Sequence, residues 1–161
     1  GGTVGTLGAD EEQIPFHSGD SVRIAPLICY ESVFGEFTTE FVKNGANVIF
    51  IITNDGWWGN TPGHRQHLTF ASLRAIECRR SIARSANTGI SAFIDQKGDI
   101  HQKTEYWEPD VIKESLALNN RVTFYAQHGD YIGRVAAFLS IVYMLLAISF
   151  FLGRKNFILA R

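Results

Sequence analysis

The feature that most constrains this chain is an uncharged, apolar stretch from Val135 to Leu152. The stretch reaches the ~18 residues that a helix needs to cross a bilayer, and it is apolar all round. Tyr131 places an aromatic residue near its start, where membrane helices are enriched in them. The alternative is a buried core helix of a soluble protein, which the length and terminal position disfavour. We therefore predict a transmembrane helix at 131–153.

Basic residues flank this stretch unevenly. Arg154 and Lys155 follow it, whereas Arg134 is the only basic residue close before it. The positive-inside rule then places the C-terminus in the cytoplasm and the preceding domain on the other side of the membrane. We predict a folded domain at 1–130 and a cytoplasmic tail at 154–161.

Composition limits the kinds of partner. The 161 residues are 45% hydrophobic with a formal net charge of −1, which suits one folded domain and gives no bias toward polyanions. We do not expect nucleic acid as a partner. Cys29 and Cys78 lie far apart in different patterns, so no disulfide is predicted. Cys78 falls within a helical pattern and is expected to be inert.

Upstream of the apolar stretch, strand and helix patterns alternate, which is typical of a layered α/β domain rather than a helix bundle. The run Val48–Ile52 is apolar without interruption and predicts a strand buried on both faces. The predicted elements are strands at 22–28, 47–53, 89–95 and 111–118, helices at 31–44 and 64–85, and a hairpin turn at 96–99.

Cys29 follows the first predicted strand and precedes the first predicted helix. A thiol at such a junction is placed as on a nucleophile elbow, and a helix N-terminus offers backbone N–H groups to a developing oxyanion. Free cysteine is also one of the most buried residue types, so a structural role is the alternative. Cys29 is therefore the candidate nucleophile.

The loop after the second predicted strand combines turn residues with Trp57 and Trp58, a composition that suits the border of a pocket. His64 and His67 follow it without a third positioned ligand, so we expect no metal site. Four arginines further on predict a solvated basic helix face paired locally with Glu77, with lipid phosphates as an alternative contact. They are Arg74, Arg79, Arg80 and Arg84.

Several motifs together resemble one family. Cys29-Tyr30-Glu31 is followed by the loop Asn54–Gly59, by His67, by Arg84–Ser91 and by the predicted transmembrane helix. In this order and spacing the chain resembles the apolipoprotein N-acyltransferases of the nitrilase, or carbon-nitrogen hydrolase, superfamily. The resemblance covers nearly all of the chain after about residue 20.

The resemblance implies an α/β fold, a nitrilase-like α-β-β-α sandwich present here in part and followed by a C-terminal transmembrane helix. It implies a bacterial inner-membrane enzyme, multi-pass at full length, with a periplasmic catalytic domain. The implied reaction moves an acyl chain from a phospholipid, through a thioester on Cys29, to the N-terminal amine of a diacylglyceryl-apolipoprotein. No cofactor or metal is implied.

Residue roles follow from the resemblance. Cys29 is the nucleophile, and the backbone N–H of Tyr30 donates to the oxyanion. Glu31 supports the site by orienting a lysine or the incoming amine, or else is a first-turn carboxylate favoured by the helix dipole. Trp57 and Trp58 line the substrate site; the membrane interface is an alternative for Trp58, and core burial is an alternative for both.

The family's catalytic glutamate and lysine lie well upstream of the cysteine, whereas only 28 residues precede Cys29 here. Neither can be assigned to a residue of this chain. Gly1–Gly8 also lacks an initiator methionine and a basic segment. We interpret the chain as the C-terminal part of a longer enzyme and expect it to be inactive alone.

The other polar loop residues, Asn54, Asp55 and Asn87, are expected to tie the loops together through bonds to the backbone. Two other functions stay open. A nitrilase-type amidase would hydrolyse a small C–N substrate through the same thioester, although the membrane helix and the tryptophan loop disfavour it. A membrane-tethered binding module with an unused cysteine is the other alternative.

Overall fold

The structure, a computed structural model, describes residues 12–159, with side chains described up to residue 151. It divides into two compact units, one ending at Gly129 and the other beginning at Asp130. The first unit contains strands β1 (Phe16–Ser18), β2 (Val22–Ile28), β3 (Val48–Thr53), β4 (Ile82–Ala86), β5 (Ala92–Ile94) and β6 (Ile100–His101), and helices α1 (Gly35–Lys43), α2 (Pro62–Cys78) and α3 (Phe124–His128). The second unit is helix α4 (Tyr131–Leu159).

The six strands form one mixed sheet in chain order. Strands β2, β3 and β4 run parallel, and the remaining neighbours pair antiparallel. Parallel neighbours need crossover connections, which α1 supplies between β2 and β3 and α2 supplies between β3 and β4. The carboxyl ends of the three parallel strands therefore meet at one edge of the sheet. Cys29 and the loop that starts at Asn54 both begin at this edge.

One face of the sheet forms the core with the helices. Alternate strand residues such as Leu27, Ile51 and Ile82 are fully buried, as expected when every second side chain points to the same face. Helix α2 contributes Ala71 and Ala75, whose small side chains allow it to lie close to the sheet. These residues belong to one continuous apolar cluster.

The opposite face of the sheet is exposed near its centre. Ile28 and Ile52 are 55% and 58% exposed, and Phe50 is 38% exposed. The prediction that the 47–53 strand is buried on both faces is therefore wrong for the second of its faces. Among residues 12–129, the architecture is thus one β layer with helices α1 to α3, which is part of the predicted α-β-β-α sandwich. The prediction of an α/β fold is confirmed.

The helix predicted at 31–44 is divided in the structure. A short 3-10 turn, Cys29–Val33, precedes α1, and Phe34 between them is extended at φ −87° and ψ 108°. A Cβ at Gly35 would lie 2.5 Å from the Tyr125 hydroxyl, so α1 begins where another segment leaves no room for a side chain.

The helix predicted at 64–85 is wrong in its second part. Helix α2 ends at Cys78, and Arg79 turns left-handed at φ 50°. The following residues form β4, which pairs with β3. No glycine or proline marks this change in the sequence, so the helical pattern appeared to continue.

The strand predicted at 111–118 is also wrong, since no ladder partner for it exists in the described part of the chain. Side chains satisfy its backbone instead: Lys113 N–H donates to Gln102 Oε1 at 3.2 Å, and Ser81 Oγ donates to the Ala117 carbonyl at 2.9 Å. The predicted hairpin turn at 96–99 is confirmed by the antiparallel pair β5 and β6 on either side of it.

Helix α4 contains the one segment of the described residues that is long and apolar enough to cross a membrane, Tyr131–Phe151. Its 21 residues span about 31 Å at 1.5 Å per residue, close to the ~30 Å hydrocarbon core of a bilayer. None of its most apolar window is buried. The backbone stays helical to Leu159, and residues 160–161 of the predicted tail lie outside the described residues.

Candidate functional site

Cys29 lies on a sharp turn at the carboxyl end of β2. Its backbone is left-handed at φ 52°, which costs a non-glycine residue of the order of 1 kcal/mol. The 3-10 turn begins at the same residue, and the Cys29 side chain is half-buried. The chain therefore changes direction at the cysteine itself, as on a nucleophile elbow. The predicted strand-to-helix junction is confirmed.

Two nearby side chains hold this turn. Glu31 accepts a hydrogen bond from the Ile28 N–H at 2.7 Å, and Ser32 Oγ donates to the Cys29 carbonyl at 2.9 Å. A strained backbone persists only where its surroundings determine it, and these bonds lie on both sides of the cysteine. Glu31 thus has a local capping role, while its role in catalysis stays a prediction.

A buried cluster of charged side chains packs beside the turn. Asp55 follows β3, His67 lies on α2 and Arg84 lies on β4, and their exposures are 0%, 2% and 3%. His67 Nδ1 is 3.0 Å from Asp55 Oδ1, and Arg84 Nη2 donates to Asp55 Oδ2 at 2.6 Å. Thr53 Oγ1 also donates to Asp55 Oδ1, at 2.8 Å. The cluster joins three consecutive elements at the carboxyl edge of the sheet.

The loop before β5 is built around this cluster. Arg84 Nη1 donates to the Ile90 carbonyl. A Cβ at Gly89 would lie 2.5 Å from Asp55 Oδ2, so the carboxylate occupies the space that a side chain would need. Asn54 Oδ1 accepts from the Gly56 N–H and from the Thr88 hydroxyl, at 3.2 and 3.0 Å. The backbone bond matches the loop-tying role expected for Asn54.

Asp55 is ionised in this cluster. Burial raises its pKa, but hydrogen bonds from His67 and Arg84, the charge of Arg84 and the Thr53 hydroxyl together lower the pKa from 3.8 to about 2. An ionised carboxylate only accepts hydrogen bonds, so His67 Nδ1 carries a proton and donates a hydrogen bond to Asp55 Oδ1. Arg84 Nη2 lies 3.2 Å from the same ring nitrogen. The other ring nitrogen, Nε2, lies 3.0 Å from Ser32 Oγ and 3.2 Å from the Cys29 carbonyl oxygen.

Aromatic rings pack against His67. The ring centroids of Trp58 and Tyr30 lie 5.3 and 6.0 Å from that of His67, and 6.4 Å from each other. With Gln66 and Phe70 they border a cavity of about 90 Å³. The structure thus brings Trp58 and Tyr30 together beside the cysteine turn.

The two tryptophans differ in their surroundings. Trp57 is 84% exposed, so core burial is wrong for it. Trp58 is half-buried and packs against both Tyr30 and His67. Binding of substrate by either ring stays a prediction.

The expected solvated basic face is wrong for three of its four arginines, whereas Arg79 is exposed. Arg74, Arg80 and Arg84 are 4%, 1% and 3% exposed, and Arg84 belongs to β4 rather than to a helix. The predicted pairing with Glu77 is confirmed for Arg74, at 2.9 Å. Hydrophilic composition alone does not distinguish a solvated arginine from one that is buried beside a carboxylate or backbone carbonyls.

Sequence reasoning therefore missed the Asp55–His67–Arg84 cluster. Asp55 was assigned to bonds with the backbone, whereas its carboxylate bonds to the side chains of His67 and Arg84. His64 faces elsewhere, stacking on Tyr106 at 4.2 Å between ring centroids. Within residues 12–151, no three histidine, cysteine or acidic side chains are placed to bind a metal ion.

The second cysteine has a different environment from the first. Cys78 is fully buried at the end of α2. Burial is the main cause that raises its pKa to about 12, so the thiol stays protonated at neutral pH. Since a thiolate is the reactive form, Cys78 is unsuited to nucleophilic chemistry.

Known proteins similar to this chain identify its family and its fold. Residues 5–125 match the family model described as carbon-nitrogen hydrolase. The fold resembles the crystal structure of a carbon-nitrogen hydrolase from Helicobacter pylori G27, with a TM-score of 0.57 and 12% identity over 64% of this chain and 43% of that one. The nitrilase-like fold predicted from the sequence is confirmed.

Curated relatives carry a more specific name. The chain is 40% identical over 129 residues to an apolipoprotein N-acyltransferase of Chlorobaculum tepidum, covering 80% of this chain and 24% of that protein. It is 37% identical over 148 residues to one of Agrobacterium fabrum, covering 91% of this chain and 28% of that protein. The predicted resemblance is confirmed, and the chain spans about a quarter of the length of these relatives.

Proposed function

Because this chain belongs to the carbon-nitrogen hydrolase family, we propose that it is the nucleophile-bearing part of an N-acyltransferase that acylates lipoproteins. The observation that carries the proposal is Cys29, a half-buried cysteine with a left-handed backbone at the carboxyl end of a parallel strand. The names of the curated relatives support acyl transfer over hydrolysis.

In the first half-reaction, the Cys29 thiolate attacks the ester carbonyl of a phospholipid and forms a tetrahedral oxyanion. The Tyr30 N–H is the proposed donor to this oxyanion, because it follows the nucleophile directly. Collapse breaks the ester C–O bond, and the lysophospholipid leaves with a proton. The acyl group remains on Cys29 as a thioester.

In the second half-reaction, the N-terminal amine of a diacylglyceryl-apolipoprotein attacks the thioester carbonyl. The C–S bond breaks, the amine loses a proton, and the product is an amide together with free Cys29. The general base and the lysine that the family resemblance implies are assigned to no residue of this chain. We expect the chain alone to form no thioester.

The remaining roles belong to the same proposal. Glu31 holds the turn through the Ile28 N–H and supports the nucleophile indirectly. Trp58 borders the small cavity beside the turn, and the exposed Trp57 is free to contact the lipid donor. No cofactor is required by this chemistry.

We place the enzyme in the bacterial inner membrane, with several spans at full length and the 1–130 domain in the periplasm. Helix α4 supports a membrane location through its 21-residue apolar segment. The two basic residues after that segment support a cytoplasmic C-terminus, with the tail at 154–161.

The experiment uses the full-length protein in detergent, phosphatidylethanolamine with a labelled acyl chain, and a synthetic peptide bearing an N-terminal diacylglyceryl-cysteine. We expect the peptide to gain one labelled acyl group that resists hydroxylamine, because an amide resists it and a thioester does not. The isolated 1–161 chain and a Cys29→Ser full-length variant are the controls, and neither should transfer label.

Two other results would replace this function. Hydrolysis of a small amide without acyl transfer would support a nitrilase-type amidase. Inactivity in both assays, with the peptide or lipid still bound, would support a membrane-tethered binding module.

A further inference from the structure

The peptide bond between Cys29 and Tyr30 carries two groups that matter for the proposed chemistry. Its carbonyl oxygen is a hydrogen-bond acceptor of the buried cluster, and its N–H is the proposed oxyanion donor. The described peptide bonds are all trans, and a trans peptide is planar with C=O and N–H in opposite directions. Fixing the direction of the Cys29 carbonyl therefore fixes the direction of the Tyr30 N–H.

His67 is placed to fix that carbonyl. Its Nε2 lies 3.2 Å from the Cys29 oxygen and 3.0 Å from Ser32 Oγ, which itself donates to the same oxygen at 2.9 Å. With a proton on Nε2, His67 donates to the Cys29 oxygen and the Ser32 hydroxyl donates to the same atom. Both contacts need this proton, because the single Ser32 proton cannot serve Nε2 and the carbonyl at once. His67 and Ser32 then hold the carbonyl on the side opposite the Tyr30 N–H.

The imidazole is itself immobilised. Asp55 accepts from Nδ1 at 3.0 Å, and the Asp55 carboxylate is held in turn by Arg84 and Thr53. The ring also packs against Trp58 and Tyr30. A side chain with 2% exposure and bonds at both ring nitrogens has one orientation available to it.

We propose that His67 is a positioning residue: held by Asp55 and Arg84, it orients the Cys29–Tyr30 peptide so that the Tyr30 N–H points at the oxyanion. This inference rests on the proposed thioester function of Cys29. It assigns the buried cluster a task in acyl transfer in addition to its contribution to folding. Because misdirecting one oxyanion donor weakens transition-state binding, acylation should slow by about 10- to 100-fold when the contact is lost.

The test compares two isosteric changes in the full-length protein. The Asn amide of His67→Asn lies near the position of Nδ1, so it keeps the bond to Asp55 and loses the contact with the Cys29 carbonyl. The amide of His67→Gln lies near the position of Nε2 and restores that contact. We expect thioester formation from phosphatidylethanolamine to slow about 10- to 100-fold in the first variant and less than about fivefold in the second.

A second reaction of the Cys29 thiol distinguishes a misdirected Tyr30 N–H from a less reactive thiol. Alkylation of Cys29 by iodoacetamide displaces iodide and develops no oxyanion. We expect His67→Asn to alkylate at the wild-type rate while its acylation is slow. Equal slowing of both reactions would contradict the proposed role.

Arg80→Met is the matched folding control. Arg80 is 1% exposed and bonds to backbone carbonyls at the opposite end of the sheet. Its loss should lower stability without slowing acylation per folded molecule. If His67→Asn behaves like Arg80→Met, the inference is wrong.

Ser32→Ala provides a smaller change at the same carbonyl, in case His67→Asn does not fold. It removes the 2.9 Å bond to the Cys29 oxygen and should slow acylation about three- to tenfold with alkylation unchanged. A wild-type acylation rate in this variant would contradict the inference. If the wild-type protein forms no thioester, both the proposed function and this inference fail. If the wild-type protein forms the thioester and His67→Asn forms it at the same rate, only this inference fails.

Discussion

The two ends of the parallel strands β2, β3 and β4 both bury arginine and other polar side chains, but the partners of those side chains differ. At the amino end, Arg80 donates to the carbonyls of Ala46, Cys78 and Arg121 at 2.8 to 3.0 Å. Asn47 donates to the Ser21 carbonyl at 2.7 Å. These side chains satisfy backbone groups of the loops around them.

At the carboxyl end, buried side chains bond mainly to one another. Asp55 bonds to His67, Arg84 and Thr53, and within this cluster His67 is the side chain that lies within hydrogen-bond distance of the Cys29 carbonyl. An ion pair in the interior is costly to desolvate and is often no more stabilising than apolar packing. The buried polar side chains at the amino end therefore stabilise the loops around them. Those at the carboxyl end form a costly buried ion pair that holds the turn at Cys29.

The largest expected effect separates the two cysteines. Cys29→Ser in the full-length protein should abolish transfer of the labelled acyl chain, since a serine hydroxyl at this position is a far weaker nucleophile. Cys78→Ser should keep the rate per folded molecule, because Cys78 is buried at the end of α2 and its pKa is raised to about 12. Transfer of the labelled acyl chain measures the rate of each variant. Equal loss in the two variants would contradict the assignment of Cys29 as the nucleophile.

Among the stability changes expected here, Asp55→Asn should lower the free energy of unfolding most. It leaves the buried Arg84 guanidinium without its counter-charge, which typically costs about 3–5 kcal/mol. The effect depends on pH: the folded pKa of about 2 is below 3.8, so the Asp55 contribution is present above about pH 4 and is lost as pH falls toward 2. The Tm difference between wild type and variant should therefore be wide at pH 7 and narrower at pH 3. A pH-independent difference would contradict the ionised assignment.

Arg80→Met should give an intermediate effect at the amino end. It leaves the buried carbonyls of Ala46 and Cys78 without this donor, at about 1–3 kcal/mol for a buried unsatisfied group. Thermal unfolding in detergent should show a lower Tm, with thioester formation per folded molecule unchanged. A specific loss of acylation in this variant would show that the two ends of the sheet are not functionally distinct.

Trp57→Ala should have the smallest effect on stability. Trp57 is 84% exposed, so the free energy of unfolding of the variant should be within about 0.5 kcal/mol of wild type. Trp58→Ala removes ring contacts to Tyr30 and His67 and should cost about 1–3 kcal/mol. A raised KM for phospholipid in Trp57→Ala at unchanged Tm would support its role in donor binding. A larger Tm loss for Trp57→Ala than for Trp58→Ala would contradict the structural assignment of both rings.

The sequence was informative where local pattern determines the structure. The apolar runs of β2 and β3 predicted both strands, and the cysteine directly after β2 predicted the turn. The membrane-length helix was evident for the same reason, since the absence of charge over a long stretch needs no knowledge of tertiary contacts.

The features that the sequence did not predict depend on contacts between residues far apart in the chain. The pattern predicts a helix through the first residues of β4 because Ile82–Ala86 contains no glycine or proline. The segment becomes a strand only by pairing with β3. Asp55, His67 and Arg84 are separated by 12 to 29 positions, and each is unremarkable in its own segment. Only the crossing of β3, α2 and β4 at one edge brings their side chains together.

The central claim is that the carboxyl end of the sheet presents Cys29 as a nucleophile for an acyl ester. The most direct measurement is the intact mass of the full-length protein after incubation with phosphatidylethanolamine and no acceptor, followed by peptide mapping. We predict a gain of one acyl group on the peptide that contains Cys29, removed by hydroxylamine. An adduct on another residue, or none on a folded protein, would contradict the claim.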